Sequence, residues 1–245
     1  MQIGEYMVYA VETGAFRLDG GAMFGVVPRA LWERHHPADE RGRISLALRV
    51  LLLVSPERKI LVDTGIGTKW TEEELERFQI DHREWDLERG LAAKGVQPAD
   101  ITDVVLTHLH FDHAGGAVRR ADSGALVPTF ENARYYVQRA NLEWARDPTE
   151  RDRASYRRDD FEPLVEAGVL HVLEGESELW PGVRVRLSQG HTTGLQMPIV
   201  SDGKKTLIYP ADLIPTRTHL RLSWVMGYDL RPLVGMAEKR ALYAR

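Results

Sequence analysis

The run Thr107-His108-Leu109-His110-Phe111-Asp112-His113-Ala114-Gly115-Gly116 holds three imidazoles and a carboxylate within six positions. Imidazole nitrogen and carboxylate oxygen are the ligands that zinc, iron and similar ions take. The whole chain has nine His, so three of them in one short segment is a concentration that surface or core placement does not account for. The segment reads as a metal site, and its spacing suggests two ions rather than one.

Two later positions have the same character. His191 follows a glycine in Gly190-His191-Thr192-Thr193-Gly194, just after the alternating run Val183-Arg184-Val185-Arg186-Leu187. Asp212 follows Leu207-Ile208-Tyr209-Pro210-Ala211. Taken singly, an Asp after a strand is often a turn or cap residue. Taken with the first cluster, a His and an Asp past separate strand ends are what a sheet edge needs to gather ligands distant in sequence.

The elements that must position them follow from the pattern. Ile44 to Val54 is a nearly continuous apolar run, interrupted by Arg49, and suits a buried strand. Pro56-Glu57-Arg58 turns it into a second strand, Lys59 to Val62, ending at Asp63-Thr64-Gly65. Thr71 to Arg77 has a capping box, Thr71 with Glu74, and reads as a helix. A second helix is expected from about Glu84 to Lys94, with Trp85 and Leu91 inward and Gly95 as its stop. Strands are expected at 104–106, 134–137, 169–173, 183–187, 197–200 and 206–209, the last pair turned by Asp202-Gly203, with helices at 141–146 and 160–167. Two βα-rich halves, near 1–125 and 126–245, would bury two sheets face to face with helices outside, a four-layer α/β arrangement forming one domain, which periodicity alone does not separate from a doubly wound single sheet.

Composition narrows the class. At 245 residues, 43% hydrophobic and 28% charged, the chain is an ordinary soluble globule. A net charge of −4 implies no basic face, so nucleic acid is not the expected partner. The absence of Cys excludes disulfides, thiolate nucleophiles and Cys-ligated zinc. No signal peptide is evident at the N-terminus, and the apolar stretch 46–54 is far short of the ~20 residues that span a bilayer. The expectation is a cytoplasmic protein with a small-molecule substrate, no membrane partner and, at most, a second copy of itself as a homodimer.

The ligand order resembles the metallo-β-lactamase superfamily, whose pattern is H-x-H-x-D-H after a strand, then a His, then an Asp. This chain shows His108, His110, Asp112 and His113, then His191, then Asp212, with Asp63 at the superfamily's earlier strand-end Asp. The resemblance covers about residues 44 to 212 and implies the αββα sandwich with a dinuclear site. His108, His110 and His191 would hold one ion, Asp112 and His113 the second, and Asp212 would bridge them, while Asp63 supports the ligands. Zinc is the first choice, with iron, manganese or cobalt as alternatives. The nearest group in look contains the N-acyl homoserine lactonases and methyl parathion hydrolase, from Leu18 to Pro28, Thr107 to Gly116, and Asp212 to Thr216.

Two departures stand out. The superfamily's pattern closes with a further His some tens of residues after the bridging Asp. Only His219 follows Asp212 here, so either His219 substitutes, or the second ion is weakly held, or that ligand lies beyond a truncated C-terminus, the favoured reading. Some lactonases also carry a Tyr just after the bridging Asp, where this chain has Pro215.

The ligand set implies a hydrolase. Two ions lower the pKa of a shared water, giving a hydroxide that attacks the carbonyl or phosphoryl centre of a lactone, ester or organophosphate. Asp112 is the catalytic candidate for orienting that nucleophile or moving its proton. Met23, Phe24, Trp224, Met226 and Tyr228 are candidates for an apolar substrate pocket, ordinary core packing being the other reading of the same residues. The alternatives are a glyoxalase II-like thioesterase, for which no basic carboxylate-binding cluster is visible, a mononuclear iron dioxygenase using His108, His113 or His191 with Asp212, and a metal-poor non-catalytic relative.

Overall fold

In the computed structural model, which describes residues 1–244, the chain opens with strands β1 (Gln2–Ile3) and β2 (Tyr6–Asp19) and short helices α1 (Gly20–Phe24) and α2 (Arg29–Trp32). The hairpin β3 (Arg43–Val54) and β4 (Lys59–Val62) follows, then α3 (Glu72–Phe78), α4 (Leu87–Ala92), β5 (Asp103–Val105) and α5 (Phe111–Ala114). Next come β6 (Val118–Arg120), β7 (Leu126–Pro128), β8 (Arg134–Gln138), α6 (Arg139–Arg146), α7 (Glu162–Glu166) and β9 (Leu170–Leu173). The chain continues through β10 (Ser177–Trp180), β11 (Val183–Ser188), β12 (Leu195–Ser201), β13 (Thr206–Ile208) and α8 (Pro232–Tyr243).

One sheet has seven strands in the order β1-β2-β3-β4-β5-β8-β9, and a second has four, β10-β11-β12-β13. The halves expected from sequence do not map onto sheets one to one. The first sheet takes β8 and β9 from beyond residue 126, because the run β4, β5, β8, β9 is parallel and each parallel neighbour needs a crossover rather than a tight hairpin. The antiparallel part is dominated by β2 and β3, paired from Met7↔Val54 to Asp19↔Arg43 with a bulge between Glu12 and Gly14.

Layering follows from which face each strand buries. Tyr6, Val8, Leu53, Ile60 and Val62 on one sheet meet Trp180, Val183, Val185 and Val200 on the other. The opposite face of the large sheet carries Val11, Leu52, Leu61, Val104 and Tyr135, packed with Leu91 of α4, Leu142 and Ala145 of α6 and Leu164 of α7. Leu242 of α8 lies against Leu195 and Met197 of β12 on the outer face of the small sheet. The result is the αββα sandwich. No helix among the described residues is long and apolar enough to cross a membrane.

Helix boundaries follow local chemistry. Thr71 caps α3 through Glu74 N, and Glu74 Oε2 accepts from Thr71 N at 3.0 Å, a complete capping box. The second helix starts later than its periodicity suggests, because Asp86 caps α4 through Arg89 N at 2.7 Å and leaves Trp85 outside it.

Candidate metal centre

The ligand candidates stand where strands of both sheets run out. Asp63 follows β4, the His108–His113 segment follows β5, His191 follows β11, and Asp212 lies in a 3-10 turn, Ala211–Leu213, after β13. Two of these exits are conformationally costly. Asp63 has φ +60° and Ala211 φ +44°, left-handed values rare for residues with a Cβ. The glycine pair after the His segment is required by contact: a Cβ on Gly115 would run into the Ile66 carbonyl oxygen, and one on Gly116 into that of Thr64.

One donor atom each from His108, His110, His191 and Asp212 falls within a span of 4.8 Å. His110 Nδ1 lies 3.1 Å from both His108 Nε2 and His191 Nε2. His113 Nε2 lies 3.1 Å from Asp212 Oδ1 and 3.7 Å from Asp112 Oδ2, and His191 Nε2 lies 3.3 Å from Asp212 Oδ2. All six candidates therefore adjoin one small volume, with Asp212 between the two groups.

Their outward-facing atoms fix which lone pairs point in. His108 Nδ1 donates to Thr107 Oγ1 at 3.0 Å, and that hydroxyl donates to Asp63 Oδ2 at 2.9 Å. His113 Nδ1 donates to the same Asp63 oxygen at 2.8 Å. His191 Nδ1 donates to Asp229 Oδ1 at 3.0 Å. Each of these rings thus turns its Nε2 toward the interior. His110 is turned the other way: its Nδ1 faces the cluster and its buried Nε2 has no hydrogen-bond partner among the described residues. Nitrogens this close, each offering a lone pair, repel one another unless a proton or a cation lies between them. The donor set therefore fits a divalent ion.

Electrostatics divide the histidines. Burial, reinforced by the neighbouring imidazoles, pushes His108 and His110 well below the ordinary histidine pKa and keeps them neutral. Burial opposes charge on His113, but Asp212, Asp112 and Asp63 outweigh it and hold its pKa well above the usual value. For Asp212, burial is outweighed by His113 and His191, so its carboxyl is held low and ionised. Burial raises Asp112, against the pull of His113.

Residues that composition and spacing did not single out complete the support. Asp229, whose other oxygen accepts from Met226 N at 3.0 Å, braces His191 from a loop with no motif of its own. Asn141, fully buried at the start of α6, accepts from Leu109 N at 2.9 Å and donates to Thr193 O at 2.7 Å, tying the two His-bearing loops together. Its only sequence signal was its position opening a helix.

The remaining candidates divide. Met23, Met226 and Tyr228 line a cleft of about 570 Å³ together with Asp63, His110, Asp112, His113, His191 and Asp212. Phe24 and Trp224 do not line it. Phe24 is fully buried, stacked on Trp32 at 5.2 Å and on His219 at 4.9 Å, with Trp224 edge-on at 5.7 Å. They form the packed wall behind Met23. His219 belongs to that wall as well: its Nδ1 is 2.7 Å from Thr216 Oγ1 and its Nε2 is 3.0 Å from Met23 O, so both nitrogens are engaged away from the cluster.

Comparison with known proteins agrees with this geometry. Residues 49–238 match the model of the metallo-beta-lactamase superfamily, and the chain belongs to that superfamily. It is 29% identical to an N-acyl homoserine lactonase of Bacillus cereus over 178 residues, covering 67% of this chain and 62% of that protein. The chain thus spans about three fifths of the length of the curated relatives it matches. A solved probable metal-dependent hydrolase from Staphylococcus aureus superimposes with a TM-score of 0.89 at 31% identity, covering 98% of this chain and 84% of the other. The dizinc quorum-quenching lactonase AidC, solved with its product, shares the fold with a TM-score of 0.78 at 21% identity, covering all of this chain and 84% of its own.

Proposed function

We propose that the protein is a metal-dependent hydrolase of a small lactone or ester. The observation that carries this reading is the convergence of His108, His110, His191 and Asp212 in a cleft whose walls are mainly apolar. His108, His110 and His191 would hold one divalent ion, Asp112 and His113 a second, and Asp212 both, with zinc the first choice for this N/O set. Ions held there supply Lewis acidity and acidify water near neutral pH.

The chain's own groups do the rest. Asp112 stands in the cleft beside the reacting centre, where it is placed to orient the nucleophile or take its proton. Phe16, Leu48, Phe78 and Phe111 present an apolar wall that excludes water and receives an acyl chain. Burial, with Asp19 and Asp112 adding, pushes the Tyr228 phenol up to about 12, so it stays protonated and offers a hydroxyl donor in a site where Pro215 replaces the lactonases' tyrosine. The lactonase relatives make acyl lactones the first substrates to try.

The test is metal analysis of the purified protein together with a panel of an acyl homoserine lactone, an aryl ester and a phosphotriester. Turnover of the lactone or ester, lost together with bound metal in His110→Ala, is expected. A protein that binds metal but turns over none of the panel would overturn the hydrolase reading.

A further inference from the structure

Arg49 interrupts the apolar run from Leu46 to Val54 in β3, and nothing in the metal chemistry uses it. It lines the cleft and also a second groove of about 480 Å³. The two hollows share Leu46, Ala47, Arg49, Ile214 and Pro215, so they adjoin along β3. The groove is also lined by Arg217 and His36, and no carboxylate lines it among the described residues. Arg217 is exposed and enters no ion pair among the described residues. Burial, with His35 adding, lowers the pKa of His36 and keeps it neutral, so the charge of the groove comes from the two guanidiniums.

Arg49 is not fully committed elsewhere. Its Nε meets Glu12 Oε1 at 2.5 Å across the β2–β3 ladder, with the two side chains 59% and 37% exposed. An exposed pair of this kind is weak. A guanidinium has five N–H donors, so Arg49 can keep Glu12 on Nε and still present its terminal nitrogens to a ligand. In sequence the two cations lie far apart, one in β3 and one after Asp212, which is why no basic cluster is visible there.

Building on the hydrolase reading, we propose that this groove is a second subsite that binds an anionic group, a carboxylate or a phosphate monoester, at the end of the substrate remote from the scissile bond. Arg49 and Arg217 hold the anion while the apolar part of the substrate lies in the cleft. The enzyme then prefers acidic acyl esters and lactones to neutral ones of the same length. Where the contact to this non-reacting group is the same in ground and transition states, it lowers KM and leaves kcat unchanged.

The experiment compares a neutral aryl ester, the aryl half-ester of a dicarboxylic acid of equal chain length, and its ω-phosphoryl analogue on the metal-loaded protein. The KM of one or both acidic esters is expected to be lower than that of the neutral ester by roughly fivefold to tenfold, the scale of a charge-assisted contact. The better acid identifies which anion the groove takes. In Arg217→Gln and in Arg49→Gln the KM ratio falls toward one with kcat of the acidic ester retained, and added salt does the same in the unaltered protein. Equal KM values for all three esters, or a preference that survives both substitutions, would overturn the proposal while leaving the hydrolase reading intact. If none of the three esters is turned over, calorimetric titration with the free dicarboxylate and the alkyl phosphate decides the groove, and the lactone of the earlier panel decides the hydrolase reading separately. Binding weakened at least fivefold in Arg217→Gln supports it; no binding, or binding equal in the variant, rejects it.

Discussion

His191 reaches the cluster through one nitrogen and is held by the other. Asp229 accepts from its Nδ1 and from Met226 N, so one carboxylate fixes the ring's tautomer, its orientation and the loop that carries Met226. Removing such a brace typically costs 10- to 100-fold in metal affinity. Asp229→Ala is expected to weaken the tightest-bound ion by about that factor in a chelator competition, with the fold retained by circular dichroism. Unchanged affinity would mean that His191 needs no brace. His219 gives a second prediction, about stability. Burial, with Lys239 adding, lowers its pKa from 6.5 to about 4. Between those values the unfolded chain binds a proton that the folded protein refuses. The stabilisation is therefore complete above pH 6.5 and is lost as pH falls toward 4, amounting to about 3 kcal/mol. His219→Gln should be less stable at pH 8 by about 1–3 kcal/mol through its lost contacts, and should show a shallower fall in denaturant midpoint between pH 6.5 and 4.5. Parallel curves would show that His219 does not titrate in this way. The ligand candidates were legible because metal chemistry demands rare residue types at close spacing. Asp229 was not, because a lone carboxylate in a loop looks like any turn residue until the fold brings it to His191.

At the scale of elements, the loop after β4 and the 3-10 turn Arg158–Asp160 are joined by a buried pair. Lys69 Nζ lies 3.0 Å from Asp160 Oδ1, with both side chains almost fully enclosed. The same ammonium donates to Gly115 O at 2.5 Å and Val118 O at 2.6 Å, directly behind the His108–His113 segment. Lys69→Met leaves Asp160 buried and unpaired, at an expected cost of about 3–5 kcal/mol. The double variant with Asp160→Leu removes both charges and should recover most of that loss in a double-mutant cycle by urea unfolding. A double variant no more stable than Lys69→Met would show that the carbonyl contacts, not the ion pair, carry the effect. Elements were legible where one face repeats simply, as in β3, β4 and α3. The 14-residue β2 went unread because the bulge between Glu12 and Gly14 switches its alternation partway. Helix α8 was not legible because its pattern is inverted: Gly235 and Lys239 are buried while Leu233 is 78% exposed. Lys239 is satisfied by the carbonyls of His219 at 2.9 Å and Trp224 at 2.6 Å, a partnership no hydrophobic periodicity encodes.

At the scale of the molecule, the cluster is where the two sheets are joined chemically. His108, His110, Asp112 and His113 come from the exit of β5 in the seven-stranded sheet, and His191 and Asp212 from the exits of β11 and β13 in the four-stranded sheet. The sandwich was legible in the alternation of strands and helices together with the ligand order. The allotment of β8 and β9 to the first sheet was not, because parallel neighbours are chosen by long-range packing rather than by any local turn. An ion bound by both sheets holds them together only in the folded state, so its binding adds directly to folding stability. At a free metal concentration 100 times its dissociation constant the gain is about 2.7 kcal/mol. For a chain of this size, each kcal/mol moves the thermal midpoint by about 2–4 °C. Exhaustive chelation is therefore expected to lower the midpoint of the metal-loaded protein by roughly 5–10 °C, and readdition of zinc to restore it. His110→Ala, which removes a ligand from the segment after β5 of the large sheet, should unfold at a temperature that responds far less to either treatment. A midpoint indifferent to chelation in the unaltered protein would show that the two sheets are held by their apolar interface alone.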